Sequence, residues 1–324
     1  MSSSVLPEWF APAREEVTTA FASGRLAHGL IIHEDPGSGG SEFARWLAQF
    51  VNCRERSRAP CGECQDCRWV ATGQHPDLTL LSPEEDSVQI LIDQVRALVA
   101  DLGLTAHGSG YKIAIIAPAE AMNVNAANAL LKTLEEPPAR TLLLLVTSQP
   151  SRLLPTLRSR CSRLRLAGPS RQLAAKYLTE AGGEGPWLEA LAATGAGPFT
   201  LLGTDPAALA RLRSDTLDTL RDIGSGKIQP PGVAERWADR GNSKDLPVRL
   251  ACLESWVTDR ILETTSIRDV THLSGQGMPS NICRLFELSD AVRDMRKLSL
   301  TSINKGMAVE SLLWRWAHSA GNKA

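Results

Sequence analysis

The chain has 324 residues, with 35 Lys and Arg against 36 Asp and Glu, so its formal net charge is −1. Its 43% hydrophobic and 22% charged residues exclude a mainly disordered or fibrous protein and indicate two or three globular domains. The balanced charge also argues against a protein that grips nucleic acid over its whole surface, because such proteins are usually basic.

No apolar run approaches the roughly 20 residues that a transmembrane helix needs. The N-terminal residues lack the basic segment and apolar core of a signal peptide. We therefore expect a cytoplasmic protein without membrane contacts.

The first half of the chain alternates strand and helix patterns. Short apolar runs predict strands at 28–33, 77–81, 112–117, 141–147 and 163–166. Helical spacing of apolar residues predicts helices at 41–50, 88–102 and 123–135, and a short one at 153–159. Such strands, separated by helices, imply a parallel sheet covered on both faces. A sheet of this kind binds ligands at the carboxyl ends of its strands.

Strand patterns stop after Gly168-Pro169. The pattern over 170–204 predicts a small helical unit, and the rest predicts further helices interrupted by a loop at 264–281. We expect an α/β domain at 1–168, a small helical domain at 169–205 and a larger helical domain at 206–324.

A glycine-rich turn at 34–41 follows the first predicted strand and precedes a helix. A phosphate loop, G-x-x-x-x-G-K-[S/T], occupies this position in nucleotide-binding proteins. Gly37, Gly39 and Ser41 fit that pattern, but Glu34 replaces the first glycine and Gly40 replaces the lysine. Backbone N–H groups at the helix start still allow weak nucleotide binding, whereas efficient hydrolysis is not expected. Taken alone, the segment is more typical of an ordinary tight turn.

The end of the third predicted strand shows a second departure. Ala117 and Pro118 stand where a P-loop ATPase places the acidic pair that holds Mg²⁺ and positions water. Neither side chain binds a metal or acts as a base. Glu120 comes two residues too late, and we interpret it as surface charge.

Four of the seven cysteines cluster within 15 residues, as Cys53, Cys61, Cys64 and Cys67. Four thiolates within reach of one ion predict a tetrahedral metal site with no open position, and hence a structural one. The spacing is compatible with zinc and with an iron–sulfur cluster, and His75 is a competing ligand more typical of a local hydrogen-bonding residue. The isolated cysteines are expected to be small buried side chains: Cys161, Cys252 and Cys283.

Two further segments carry a family pattern. They are Asn128–Pro138 (NALLKTLEEPP) and Leu157–Cys161 (LRSRC), with the strand that ends at Thr147 between them. With the cysteine cluster they resemble the clamp-loader branch of the AAA+ ATPases, over 24–168 and more loosely beyond. Clamp loaders are multi-subunit assemblies that open a sliding clamp and place it on primer–template DNA.

Within that family, the altered phosphate loop resembles that of a subunit that does not hydrolyse ATP and acts as a rigid stator. The resemblance implies an AAA+ fold, structural zinc on the four cysteines and a C-terminal collar for oligomerisation. It implies partners as well: the motor subunit gamma or tau, the delta subunit, and the clamp and DNA through the assembly. No independent enzymatic activity is expected, and any polymerase activity would belong to the assembly.

The resemblance also assigns a role to Arg160. Its Ser-Arg-Cys context matches an arginine finger, which stabilises charge on the ATP held by a neighbouring motor subunit. The segment 195–199, where motor subunits carry an ATP-sensing arginine, contains none. An ordinary alternative for Arg160 is membership of a basic surface, since 151–166 holds five arginines and no acid.

Other functions remain open at this point. An active AAA+ motor would need a cation at Gly40 and an acid at 117–118. A zinc-dependent nucleic-acid-binding protein predicts salt-sensitive DNA binding by the isolated chain. An independent hydrolase would need a nucleophile–base pair, which the sequence does not suggest.

Two smaller expectations concern single side chains. The hydroxyl of Thr147 either senses nucleotide or caps a turn. Trp314 and Trp316 cannot share one helix face at this spacing. One of them is therefore expected in the core and the other towards a partner subunit.

Overall fold

The computed structural model describes residues 6–84, 87–108, 110–239, 245–264, 280–298 and 304–320. The chain divides into two compact units, Met1–Ser170 and Arg171–Ala324. Among the described residues, no helix combines the length and the apolarity that crossing a bilayer requires.

The first unit is built on a parallel sheet of five strands within the described residues. The strands are β1 (Gly29–His33), β2 (Leu78–Leu81), β3 (Lys112–Ile116), β4 (Thr141–Thr147) and β5 (Ser162–Arg165). Their order is β2-β3-β4-β1-β5, and every neighbouring pair is parallel. Each strand lies within two residues of its predicted position. The expected AAA+-like α/β fold is confirmed.

Seven helices accompany this sheet in the described part of the first unit. They are α1 (Ala11–Ala22), α2 (Gly40–Asn52), α3 (Gln65–Thr72), α4 (Ile92–Leu102), α5 (Val124–Ala129), α6 (Leu131–Glu135) and α7 (Pro155–Arg158). The predictions missed α1 and α3. The helix predicted at 123–135 is divided at Leu130, which adopts a turn between α5 and α6.

The sheet is buried because its central strands are apolar throughout. Every residue of β4 is buried. In the register of the sheet, Leu143 lies between Gly29 of β1 and Ala114 of β3. Helices α4 to α6 cover the core with Leu98, Leu130 and other apolar side chains. This packing fixes the carboxyl ends of β1, β3 and β4 at one edge, where the glycine-rich turn begins.

Within its described residues, the regular secondary structure of the second unit is entirely helical. Its helices are α8 (Arg171–Gly182), α9 (Trp187–Thr194), α10 (Pro198–Leu201), α11 (Pro206–Gly224), α12 (Pro230–Ala238), α13 (Leu246–Thr264), α14 (Ser280–Leu298) and α15 (Lys305–Ala320). The loop predicted at 264–281 lies outside the described residues except at its two ends, which are helical.

Two apolar clusters hold the second unit together. A small one joins α8, α9 and α10 around Leu178 and Trp187, and a larger one contains Leu250 and Trp316. Helix α9 also packs directly against α11 and α13. A separate small domain at 169–205 therefore stays a prediction.

The two tryptophans of α15 point to different environments. Trp316 is buried, and its Nε1 donates to the Leu220 carbonyl at 2.9 Å. Trp314 is 39% exposed. The expectation that only one of them packs in the core is confirmed.

Candidate functional site

The glycine-rich turn carries β1 into the N-terminus of α2. Gly37 and Gly39 adopt left-handed conformations, with φ of 74° and 103°. Glycine is favoured at both positions because other residues are strained there. The Ser38 N–H donates to the Asp35 carbonyl at 2.9 Å and closes the turn. Ser41 lies in the first turn of α2.

The carboxylate of Glu34 occupies the start of α2. Its Oε2 accepts hydrogen bonds from the N–H groups of Gly39, at 2.9 Å, and Gly40, at 2.6 Å. Such amides have no partner inside the helix and attract anions. Burial raises the pKa of the Glu34 carboxyl, against the two amide donors, and Glu42 and Glu120 raise it further. The chain's own carboxylate therefore fills the anion position.

Gly40, which replaces the phosphate-loop lysine, has no room for a side chain. A Cβ at this position would lie 2.7 Å from Val146 Cγ1 and 2.8 Å from the carboxyl carbon of Glu34. Such approaches are shorter than real Cβ atoms make. The sequence suggested that a charge is missing here, and the structure adds that the space is taken.

The carboxyl end of β3 contains no acidic pair. Ala117 and Pro118 follow the strand directly, as expected. Glu120, by contrast, is not simple surface charge. Its Oε1 accepts from the N–H and the Oγ of Ser148, at 3.3 and 3.0 Å, and its Oε2 is buried without a hydrogen-bond partner in the described chain. Thr147 caps the next turn, since its Oγ1 accepts from the Gln149 N–H at 3.0 Å.

Arg160 lies between α7 and β5 and is held by a partner that the sequence analysis did not identify. Its Nε and Nη2 donate to Oε1 of Glu135, at 2.8 and 2.5 Å. Its Nη1 donates to the Thr156 carbonyl at 3.1 Å. The Arg160 side chain is still 35% exposed. Arg160 is therefore oriented by local contacts while remaining open to solvent.

The basic run around Arg160 does not act as one uniform surface. Arg165, at the end of β5, donates to Asp35 at 2.6 Å instead of sharing the partner of Arg160. Segment 195–199 comprises the turn after α9 and the first residues of α10, with Gly195 left-handed at φ 60°. It presents no arginine, as the sequence indicated.

The four clustered cysteines come together in space. One sulfur from each of Cys53, Cys61, Cys64 and Cys67 lies within 4.8 Å of the others. Their sulfurs accept backbone N–H groups within the cluster, and Cys64 Sγ caps α3 through the Cys67 N–H. The amide of Cys64 lowers the pKa of the Cys61 thiol to about 7, while burial raises the pKa of Cys53. A compact set of four soft sulfur donors fits tetrahedral zinc.

His75 is not part of this donor set. Its Nδ1 accepts from the Asp77 N–H at 3.1 Å, and its Nε2 lies 3.6 Å from Asp66. Its ring also meets Trp69 edge-on. The expectation of a local hydrogen-bonding role is confirmed.

The remaining cysteines do not all behave as expected. Cys161 and Cys252 are buried, and burial raises the pKa of each thiol to about 11. Cys283 is exposed, so the expectation of burial was wrong for it. It lies on the outward side of α14, whereas its neighbour Ile282 is buried.

The chain was compared with models of protein families and with known proteins. The model of the family described as "DNA polymerase III, delta subunit" matches residues 11–170. The DNA polymerase III subunit delta′ of Pseudomonas aeruginosa is 33% identical, over 91% of this chain and 93% of its own length. That of Escherichia coli is 30% identical, over 96% and 95%. The subunit tau of Salmonella typhimurium is 33% identical over 49% of this chain and 26% of its own length.

Proposed function

Because the chain belongs to the family of DNA polymerase III delta′ subunits, in the clamp-loader group, we propose that it is a stator that does not hydrolyse ATP. In this role it helps a clamp loader to place a sliding clamp on primer–template DNA. It supplies structure and one charged side chain to a neighbouring motor subunit. It has no independent enzymatic activity.

The observation that carries this proposal is the state of the phosphate loop. Glu34 accepts the two amides at the start of α2, and Gly40 has no space for a lysine. Motor subunits need that lysine to meet the phosphates, and an acidic pair to hold Mg²⁺. Ala117 and Pro118 cannot replace the acidic pair.

Arg160 supports the second half of the proposal. Arginine stays protonated and offers a planar fork of donors, which suits the oxygens of a phosphoryl group. The contacts with Glu135 and Thr156 orient the guanidinium and leave part of it exposed. We assign it as an arginine finger that acts in trans on the ATP of a neighbouring motor subunit.

The cysteine cluster and the helical unit complete the assignment. Cys53, Cys61, Cys64 and Cys67 hold structural zinc, because four protein ligands leave no position for a substrate. The helices beyond residue 205 form the oligomerisation collar. The similarity to tau supports assembly with gamma or tau and with delta, and through them with the clamp and DNA. The setting is the cytoplasm.

Calorimetry with Mg-ATP, together with a phosphate-release assay on the same sample, tests this function. The isolated chain is expected to show no turnover and weak or absent binding. The same chain should restore ATP turnover when it is added to motor and delta subunits. Turnover by the isolated chain would contradict the stator and favour a motor.

A further inference from the structure

We propose that Glu34 is the residue that excludes nucleotide phosphates from the loop between β1 and α2. Its carboxylate takes the place of a phosphate oxygen. The inference rests on the proposed non-hydrolysing role and names the side chain that determines this specificity. The loop lacks the lysine, and the Glu34 carboxylate also occupies the position where a phosphate would bind.

Two amide groups define the position that Glu34 fills. Gly39 and Gly40 both donate to the same carboxylate oxygen, at 2.9 and 2.6 Å. In a phosphate loop, the backbone amides of this segment hold phosphate oxygens. A nucleotide would have to displace a charged acceptor that belongs to the chain and is always present. Charge-assisted hydrogen bonds of this kind are among the strong ones.

Packing couples Glu34 to the missing lysine. A Cβ at Gly40 would meet Val146 Cγ1 at 2.7 Å, the Glu34 carboxyl carbon at 2.8 Å and Glu34 Oε1 at 3.0 Å. A lysine at position 40 therefore requires both the Glu34 carboxyl group and the Val146 side chain to move. The two departures from the phosphate-loop pattern are therefore parts of one arrangement.

The charge around the loop acts in the same direction. Glu42, in the first turn of α2, and Glu120, beyond β3, both interact electrostatically with the Glu34 carboxyl. Three carboxylates at one end of the sheet repel a triphosphate, because like charges at short range disfavour each other.

Neighbouring contacts hold the loop itself. Arg165 donates to Asp35 at 2.6 Å, and the Nε1 of Trp9 donates to the Ser38 carbonyl at 3.3 Å. At Gly168 a Cβ would lie only 2.7 Å from the Asp35 carboxylate. The backbone that presents Glu34 is thus packed from both sides, which keeps the carboxylate at the helix start.

Variants of the full chain test the proposal by calorimetry with Mg-ATP and with pyrophosphate. Glu34→Gly restores the residue of the phosphate-loop pattern, and Glu34→Gln keeps the shape without the charge. Gly40→Lys is made alone and together with Glu34→Gly. Glu42→Gln is the matched control, since it removes the same charge without touching the two amides. Circular dichroism establishes that each variant is folded.

The wild-type chain, Gly40→Lys and Glu42→Gln are expected to show weak or absent binding. Glu34→Gly should bind both probes, and Glu34→Gln should bind them more weakly. In the double variant the Val146 side chain must still turn away from the new Cβ, but Glu34 no longer opposes the lysine. This variant should bind Mg-ATP about tenfold more tightly than Glu34→Gly, because it adds a hydrogen bond to a charged group.

Two results would overturn the inference. One is wild-type or Gly40→Lys binding as tight as that of Glu34→Gly. The other is no binding by folded Glu34→Gly, Glu34→Gln and double variants. Either result leaves the proposed function in place as long as the wild-type chain does not hydrolyse ATP. Hydrolysis by the wild-type chain would instead remove the proposed function.

Discussion

Replacing Arg160 with alanine tests whether this residue promotes ATP hydrolysis on a neighbouring subunit or only stabilises its own chain. The change removes the ion pair with Glu135 and the hydrogen bond to the Thr156 carbonyl. The two charged side chains are 35% and 50% exposed. Ion pairs at exposed sites contribute about 0.2–1 kcal/mol to stability. Since folded domains are stable by about 5–15 kcal/mol, the variant is expected to fold and assemble.

The expected effect on catalysis is much larger. An arginine finger contributes about 10³–10⁵-fold to the rate of phosphoryl transfer. That range equals about 4–7 kcal/mol of transition-state stabilisation. Arg160→Ala should therefore slow ATP hydrolysis at the adjacent motor subunit by orders of magnitude. The free energy of unfolding of the isolated variant should differ from that of the wild-type chain by about 1 kcal/mol or less.

The assay uses an assembled complex in which only the adjacent motor subunit keeps its phosphate-loop lysine. Single-turnover phosphate release then reports one site. Arg163→Ala, an exposed arginine on β5, is the matched control and should leave the rate unchanged. Glu135→Gln removes the competing charge and should preserve turnover. Full turnover by an assembled Arg160→Ala complex would refute the reasoning.

Two other predictions concern metal and pH. Metal analysis of the purified chain should find zinc. Cys64→Ser should lose the metal and lower the melting temperature, because metal binding stabilises the fold while serine can still cap α3. Bound iron with visible absorption would indicate a cluster instead. Burial opposes the low pKa of Asp77, but amide donors from His107 and Gly108 outweigh it and hold that pKa below its ordinary 3.8. The Asp77 carboxylate therefore stabilises the folded chain at pH values above 3.8. This stabilisation is lost as the pH falls through the pKa of Asp77 in the folded state. Asp77→Asn should therefore destabilise the chain by about 1.5–3 kcal/mol at pH 7 in urea unfolding. A difference in the free energy of unfolding that does not shrink as the pH falls below 3.8 would contradict this.

The sequence predicted the sheet well because each strand is indicated by the apolar residues of its own short segment. Leu142–Val146 is an apolar run bounded by polar residues, and such a run is buried wherever it lies in a parallel sheet. Helix α3 was missed for a physical reason. It begins at Cys64, whose sulfur accepts the N–H of Cys67, and cysteine is not among the usual N-cap residues.

Some features of the candidate site could also be predicted from the sequence and others could not. The cysteine cluster was predictable, because its four cysteines are close in the chain and their spacing is typical of a metal site. The Glu135–Arg160 pair joins residues 25 positions apart and depends on how α6 packs against α7. Glu34 was recognised as a departure from the phosphate-loop pattern. The sequence did not show that Glu34 accepts hydrogen bonds from the Gly39 and Gly40 amides, because this depends on how the turn folds back towards the start of α2.

The close contact at Gly40 has a consequence for how such a chain can change over generations. Introducing lysine there first produces a collision with Glu34, and removing Glu34 first leaves a loop without its cation. Neither single step yields a site that hydrolyses ATP, because Glu34→Gly binds phosphates without the lysine that hydrolysis needs, so selection for ATP hydrolysis has no improved intermediate to favour. The close contacts at Gly40 therefore oppose the return of a phosphate-loop lysine by a single substitution.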